Sequence, residues 1–191
     1  MSRVKAAVFA SGTGSNFQAM LEEGGLACEI VLLVCDRPGA AVIEKAKQNR
    51  IPVYTFEPKR YALKEAYEKE ILTVLQQSGI AWIFLAGYMR IIGPCLLHAY
   101  RGKIVNIHPS LLPAFPGKDA IRQAFNAKTK KTGVTVHFID EGIDTGPIIA
   151  QQVVDIYPSD TIDVLTKRIQ KVEHQLYPSV IKQLIQNEGY L

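Results

Sequence analysis

Val4-Lys5-Ala6-Ala7-Val8-Phe9-Ala10-Ser11-Gly12-Thr13-Gly14-Ser15-Asn16-Phe17 sets an apolar run against a glycine turn, after which Phe17, Met20 and Leu21 recur at helical spacing. The order strand, glycine turn, helix is the opening unit of an α/β fold. Its strand offers no polar face, and neither do Glu29 to Cys35 or Ala81 to Ala86. Strands that are apolar on both sides belong to a parallel sheet covered by helices, because no face is left for water to mark with polar residues.

The intervening segments supply those helices. Asp36-Arg37-Pro38-Gly39 stops the second strand, and Ala40 to Asn49 reads as a helix. Pro52 to Phe56 is a short extended piece. Tyr61 to Gln77 carries Tyr67, Ile71, Val74 and Leu75 on one stripe and ends at Gly79, which predicts a long amphipathic helix. The second half begins alike with the strand Lys103 to Asn106, then gives a proline-rich loop from His108 to Gly117 and a short helix from Asp119 to about Asn126. Gly133 to Ile139 and Pro147 to Asp155 are β-rich runs with only Asp140 to Gly146 between them, so the step is antiparallel. A long final helix starts at an Asp160 or Thr161 cap and runs to about Asn187, with an interruption expected at Pro178. The expectation is one domain over residues 1–191: a doubly wound, mostly parallel, Rossmann-like sheet with an antiparallel step near its end and a long C-terminal helix.

Composition narrows the function. The 191 residues, 48% hydrophobic and 21% charged, suit one core. No apolar run approaches the roughly 20 residues that span a bilayer, and Val4 to Ala10 is too short for a secretory core, so a cytoplasmic protein without a membrane role is expected. Cys28, Cys35 and Cys95 lie in or beside apolar segments without Cys-x-x-Cys spacing and read as small core residues. The net charge of +4 favours anionic ligands, but Lys128, Lys130 and Lys131 lack interleaved aromatics and sit at a turn, which argues against nucleic acid.

Ligands of open parallel sheets sit beyond the carboxyl ends of the strands. Gly12-Thr13-Gly14-Ser15-Asn16 offers closely spaced amides at a helix start, suited to a phosphate. A dinucleotide is the rival, with Asp36 in the place of a ribose-binding acid, but Phe17 occupies the third glycine position. In Asn106-Ile107-His108-Pro109 the amide and imidazole point to one side of an extended chain. Together they suit an oxyanion of acyl transfer, or else they merely bond the backbone of a tight loop. Asp140, Glu141 and Asp144 supply acids near that place; a carboxylate beside His108 would hold the imidazole charged or take a proton from an amine, and a solvated turn is the plainer alternative. His98, His137 and His174 read as structural, with no spacing that groups them around a metal.

Asn106 to Pro113 together with Gly133 to Pro147 resembles, in order and separation, the active-site pattern of folate-dependent formyltransferases. The resemblance extends from Gly12 to Glu173. It implies transfer of a formyl group from 10-formyltetrahydrofolate, a co-substrate needing no metal, to the amine of 5-phosphoribosylglycinamide in purine synthesis. By the same resemblance Asn106 and His108 act on the formyl oxygen, and Asp144 keeps His108 protonated and helps remove the amine proton. The acceptor phosphate falls on Gly12, Thr13, Gly14, Ser15 and Asn16, with its ribose near Gln170 and Glu173. Met89, Arg90, Ile91 and Ile92, with Asn106, Asp140, Glu141, Gly142, Ile143 and Asp144, correspond to the folate pocket. Lys64 takes a position that is arginine in some relatives and faces the folate tail. A cis Leu112-Pro113 peptide is a further implication. So is a homodimer through a sheet edge, with Asp119 where some relatives carry a histidine. Ala114-Phe115-Pro116-Gly117 departs from the arginine-rich segment of methionyl-tRNA formyltransferases, and Pro109 from the formyltetrahydrofolate hydrolases; the chain's ends at Met1 and Leu191 are read the same way.

Overall fold

In a computed structural model, which describes residues 3–188, the three apolar runs become the central strands β1 (Val4–Ala10), β2 (Cys28–Cys35) and β4 (Trp82–Leu85). With β3 (Val53–Thr55), β5 (Ile104–His108), β6 (Lys131–Phe138) and β7 (Ile148–Asp155) they form one seven-stranded sheet in the order β3-β2-β1-β4-β5-β6-β7. Pairs from β3 to β5 are parallel, and β5 with β6 and β6 with β7 are antiparallel. The chain winds outward from β1 to β3, then returns to place β4 on the other side of β1. The loops after β1 and β4 therefore part at a topological switch point, where open α/β sheets form a crevice.

The strand alternation divides the core. Ala6, Val8 and Ala10 face Phe17 and Met20 of α1 (Ser15–Glu22), Val42 and Ala46 of α2 (Ala41–Gln48), and Tyr177 and Ile181 of α6 (Ile162–Glu188). Ala7 and Phe9 face Tyr67, Ile71 and Leu75 of α3 (Lys64–Gln77) and Leu96 of α4 (Pro94–Ala99). A further helix, α5 (Ala120–Asn126), precedes β6.

Three details differ from expectation, and the choice between two expected helix caps is decided. The helix expected from Tyr61 begins at Lys64, after a single 3-10 turn at Pro58–Arg60, while the Tyr61 ring packs edge-on to Tyr67. The six-residue α4, opened by Pro94, is an unpredicted element too short to show periodicity. Thr161 alone caps α6, its Oγ1 accepting the Val164 amide at 3.3 Å, whereas the Asp160 carboxylate is taken by Arg168 at 2.6 Å and the Tyr157 amide at 2.8 Å. The interruption at Pro178 does not occur. Fully buried Tyr177 and Ile181 hold the helix to the sheet on either side of the proline, and the Tyr177 hydroxyl lies 3.0 Å from the Leu85 carbonyl and 2.9 Å from that of Val105. Tertiary packing outweighs the loss of one helical hydrogen bond.

Candidate active site

Strand β5 ends in Asn106-Ile107-His108, and its alternation sends Asn106 and His108 to the same face while Ile107 enters the core. The antiparallel register sets His137 of β6 opposite Asn106, and Asn106 Nδ2 lies 3.2 Å from His137 Nε2. His137 Nδ1 is 2.8 Å from the Phe138 carbonyl, which only accepts, so Nδ1 carries a proton. Asp144 reaches both rings from the β6–β7 loop, 3.4 Å from His108 Nδ1 and 3.6 Å from His137 Nε2. His108 Nε2 is 2.9 Å from the Phe115 carbonyl. Both ring nitrogens of His108 thus face oxygens that can only accept, an arrangement that the doubly protonated ring satisfies.

Asp144 has a left-handed backbone, φ 55°, unusual for a residue other than glycine and a form of local strain often found at working sites. Its carboxylate also accepts the Gly117 amide at 2.8 Å. Burial pushes this carboxyl up, but the His137 contact, the Gly117 N–H and the fields of His108 and His137 outweigh it and hold the group below the usual carboxylate range. It is therefore an anion at neutral pH.

The proline-rich loop that follows His108 is anchored from the neighbouring strands. Buried Thr135 donates to the Ser110 carbonyl at 2.6 Å and accepts the Leu112 amide at 3.1 Å, while Gln151 of β7 donates to the Leu112 carbonyl at 2.9 Å. The Leu112-Pro113 peptide is cis.

These groups open on a cavity of about 750 Å³. Tyr88, Met89, Arg90, Ile91 and Ile92 line one side, Asp140, Gly142, Ile143 and Asp144 another, and Asn106 and His108 the floor; Arg37, Lys118 and Arg122 add basic groups. Glu141 is exposed and absent from this lining. Lys64 is also outside it. Its Nζ lies 4.0 Å from Glu68 in an adjoining groove with Cys95 and His98.

The glycine loop forms a separate group beside the cavity. The Gly12 carbonyl accepts the Val42 amide at 3.1 Å, and that of Gly14 accepts the Gln18 amide at 3.0 Å and lies 3.4 Å from Lys45 Nζ. In a planar trans peptide the next N–H points the opposite way, so the Thr13 and Ser15 amides face out of the loop. Gly14, at φ 71°, has no room for a side chain: a Cβ would lie 2.5 Å from Val42 Cγ2. Asn16 Nδ2 is 3.4 Å from Glu173 Oε2, and Asn16 Oδ1 is buried without a hydrogen-bond partner. Burial pushes the Glu173 carboxyl up to about 7, against the pull of Asn16. Gln170 is half-buried one turn earlier on α6, whose first turns bring Ile162 and Thr166 to the large cavity. One helix spans both groups.

Asp36 does not stand ready for a ribose. It is buried beneath Ser11 and Arg90, both of which donate to it, which removes the dinucleotide reading. His137, expected to be merely structural, lies against both Asn106 and Asp144. The antiparallel step was the available signal, but its register was not readable. Among the described residues no cluster of three or more His, Cys, Asp or Glu is placed to hold a metal ion, and no helix is long and apolar enough to cross a membrane.

A doubly wound sheet with a phosphate-type loop at β1 and an amide, imidazole and carboxylate converging after β5 defines an α/β group-transfer enzyme acting on a carbonyl carbon. The chain belongs to the formyl transferase family, whose pattern matches residues 4–181. It is 56% identical over 184 residues to the phosphoribosylglycinamide formyltransferase of Bacillus subtilis, covering 95% of this chain and 94% of that one. The trifunctional purine biosynthetic protein adenosine-3 of Drosophila melanogaster is 41% identical over 96% of this chain, which spans 14% of that longer protein. Among solved structures, glycinamide ribonucleotide transformylase 1 from Geobacillus kaustophilus superposes with a TM-score of 0.93 at 59% identity, covering 96% of this chain and 99% of the other.

Proposed function

We propose that the chain transfers the formyl group of 10-formyltetrahydrofolate to the primary amine of 5-phosphoribosylglycinamide, giving the formylated ribonucleotide and tetrahydrofolate in purine synthesis. The convergence of Asn106, His108 and Asp144 on one cavity carries this reading. The amine nitrogen attacks the formyl carbon, and the carbonyl oxygen gains the negative charge. An N–H of the Asn106 amide and the charge of protonated His108, whose own ring nitrogens face Asp144 and the Phe115 carbonyl, stabilise that oxyanion. Asp144, an anion 3.4 Å from His108 Nδ1, orients the ring and receives the proton of the attacking amine through water. Collapse breaks the bond to N10 of the folate, which leaves with the proton taken from the amine, returned from Asp144 through water.

The cavity wall of Met89, Ile91, Ile92 and Ile143 suits a flat pterin, and Arg37 and Arg90 suit its anionic tail. Lys64, across the adjoining groove, serves at most the outer end of that tail. The Thr13 and Ser15 amides receive the acceptor phosphate with help from the helix dipole. Asn16, Gln170 and Glu173 receive the ribose, and the unpartnered Asn16 oxygen is a ready acceptor for a sugar hydroxyl. Both substrates are water-soluble anions, which suits the cytoplasmic setting expected from the sequence; a homodimer through a sheet edge remains part of the proposal.

The test is direct. Protein incubated with 10-formyltetrahydrofolate labelled in the formyl carbon should pass the label to 5-phosphoribosylglycinamide with equal release of tetrahydrofolate. Release of labelled formate at the same rate with and without the acceptor would end the reading.

A further inference from the structure

The stretch from Ala86 to Gly93 belongs to no helix or strand, so no repeating backbone ladder sets its shape. It nonetheless supplies Tyr88 to Ile92 to the large cavity. Two buried carboxylates hold it. Asp36, one residue beyond β2, accepts from Arg90 Nε at 2.9 Å and from the Ser11 hydroxyl, and Ser11 Oγ accepts the Met89 amide at 2.8 Å. Two successive residues are thereby tied to one carboxylate, Arg90 directly and Met89 through a hydroxyl. The Ser11 amide adds a bond to the Gly87 carbonyl at 3.1 Å.

At the other end Glu68 of α3 accepts the Gly93 amide at 2.6 Å and also receives the amides of Cys95 and Leu96. It thus closes the start of α4. Gly93 sits so close that a Cβ would lie 2.6 Å from Glu68 Oε2. The two carboxylate side chains are 0% and 2% exposed, and neither lines the cavity. Buried charges are costly unless well partnered, and these two are partnered by the irregular stretch and its immediate supports.

We infer that Asp36 and Glu68 are positioning residues that fix the two ends of the folate-facing wall, and so set folate affinity without touching the reacting groups. The inference rests on the reading of the large cavity as the folate pocket. It also links the two substrate sites, because Ser11 is the residue immediately before the glycine loop.

Steady-state kinetics and calorimetric titration with tetrahydrofolate test it on the intact protein. Asp36→Asn keeps an acceptor for Ser11 but loses the charge that pairs Arg90, and Glu68→Gln loses the charge at Gly93. Each should raise the KM for 10-formyltetrahydrofolate and the Kd for tetrahydrofolate about tenfold, the scale of one charge-assisted hydrogen bond. The acceptor KM and kcat should stay within about threefold of the parent. Ser11→Ala, which cuts the Met89 link and the hydroxyl bond to Asp36 but keeps the Asp36–Arg90 pair, should move folate affinity the same way by less; it carries the test if a carboxylate variant fails to fold. A common rise in both KM values, or unchanged tetrahydrofolate affinity in the folded variants, overturns the positioning role. A parent protein that binds no tetrahydrofolate overturns the pocket reading, and the inference with it.

Discussion

Replacing Glu173 by glutamine removes a buried carboxyl whose fold opposes its ionisation. Burial raises it from its ordinary 4.5 to about 7, with only the Asn16 amide acting to lower it. Between those values the folded protein holds a proton that the unfolded chain has released, so this group's contribution to stability is complete below pH 4.5 and is lost as pH rises to about 7. At about 1.36 kcal/mol per pH unit, the interval from 4.5 to about 7 corresponds to about 3 kcal/mol. Glutamine does not titrate, so the stability of Glu173→Gln relative to the parent should improve by about 2–3 kcal/mol between pH 5 and pH 8. Urea unfolding of the substrate-free protein at the two pH values measures this, and contributions from every other titrating group cancel in the difference. A stability difference that is the same at both pH values would refute the reasoning, since it would mean that Glu173 folds in its ionised form. In the proposed reading the same variant binds the acceptor more weakly, having lost a carboxyl oxygen that accepts from the ribose.

Gly14→Val meets Val42 and a left-handed backbone together, and should cost about 1–3 kcal/mol of stability while raising the acceptor KM more than the folate KM; urea unfolding and kinetics check the pair. Thr135→Val keeps its shape but orphans the Ser110 carbonyl and the Leu112 amide, so a loss of about 1–3 kcal/mol and slower turnover are expected. His137→Ala empties a fully buried position and leaves Asn106 and Asp144 without a shared partner. It should cost about 2 kcal/mol or more in unfolding and lower kcat about tenfold or more, whereas unchanged kcat would return His137 to a purely structural role.

The parallel half of the fold was legible because strands such as Val4 to Ala10 carry no polar face, and the antiparallel step because no helix separates Val136 from Ile149. Asn106 and His108 declared themselves through alternation along one strand. His137 did not, because its place opposite Asn106 depends on a register that only tertiary pairing sets. Asp36 suggested a ribose partner from its position after a strand; its actual partners, Ser11 and Arg90, lie 25 and 54 residues away. Gln170 and Glu173 came from family resemblance alone, since a glutamate on a long helix reads as solvent-facing until the helix is docked. Pro178 misled for the same reason: local propensity predicts a break that burial of Tyr177 and Ile181 overrides.

Single-turnover rates of the parent, Asn106→Ala, His108→Ala, Asp144→Asn and the His108→Ala/Asp144→Asn double variant, with acceptor affinity measured on the same preparations, test the central claim most directly. Groups that stabilise one developing charge should each slow the chemical step about a hundredfold or more when removed, with acceptor affinity little changed, and the double variant should be little slower than its worse single parent. Additive losses would contradict joint action of His108 and Asp144 on one oxyanion, and a near-parental rate in His108→Ala would contradict the site assignment itself.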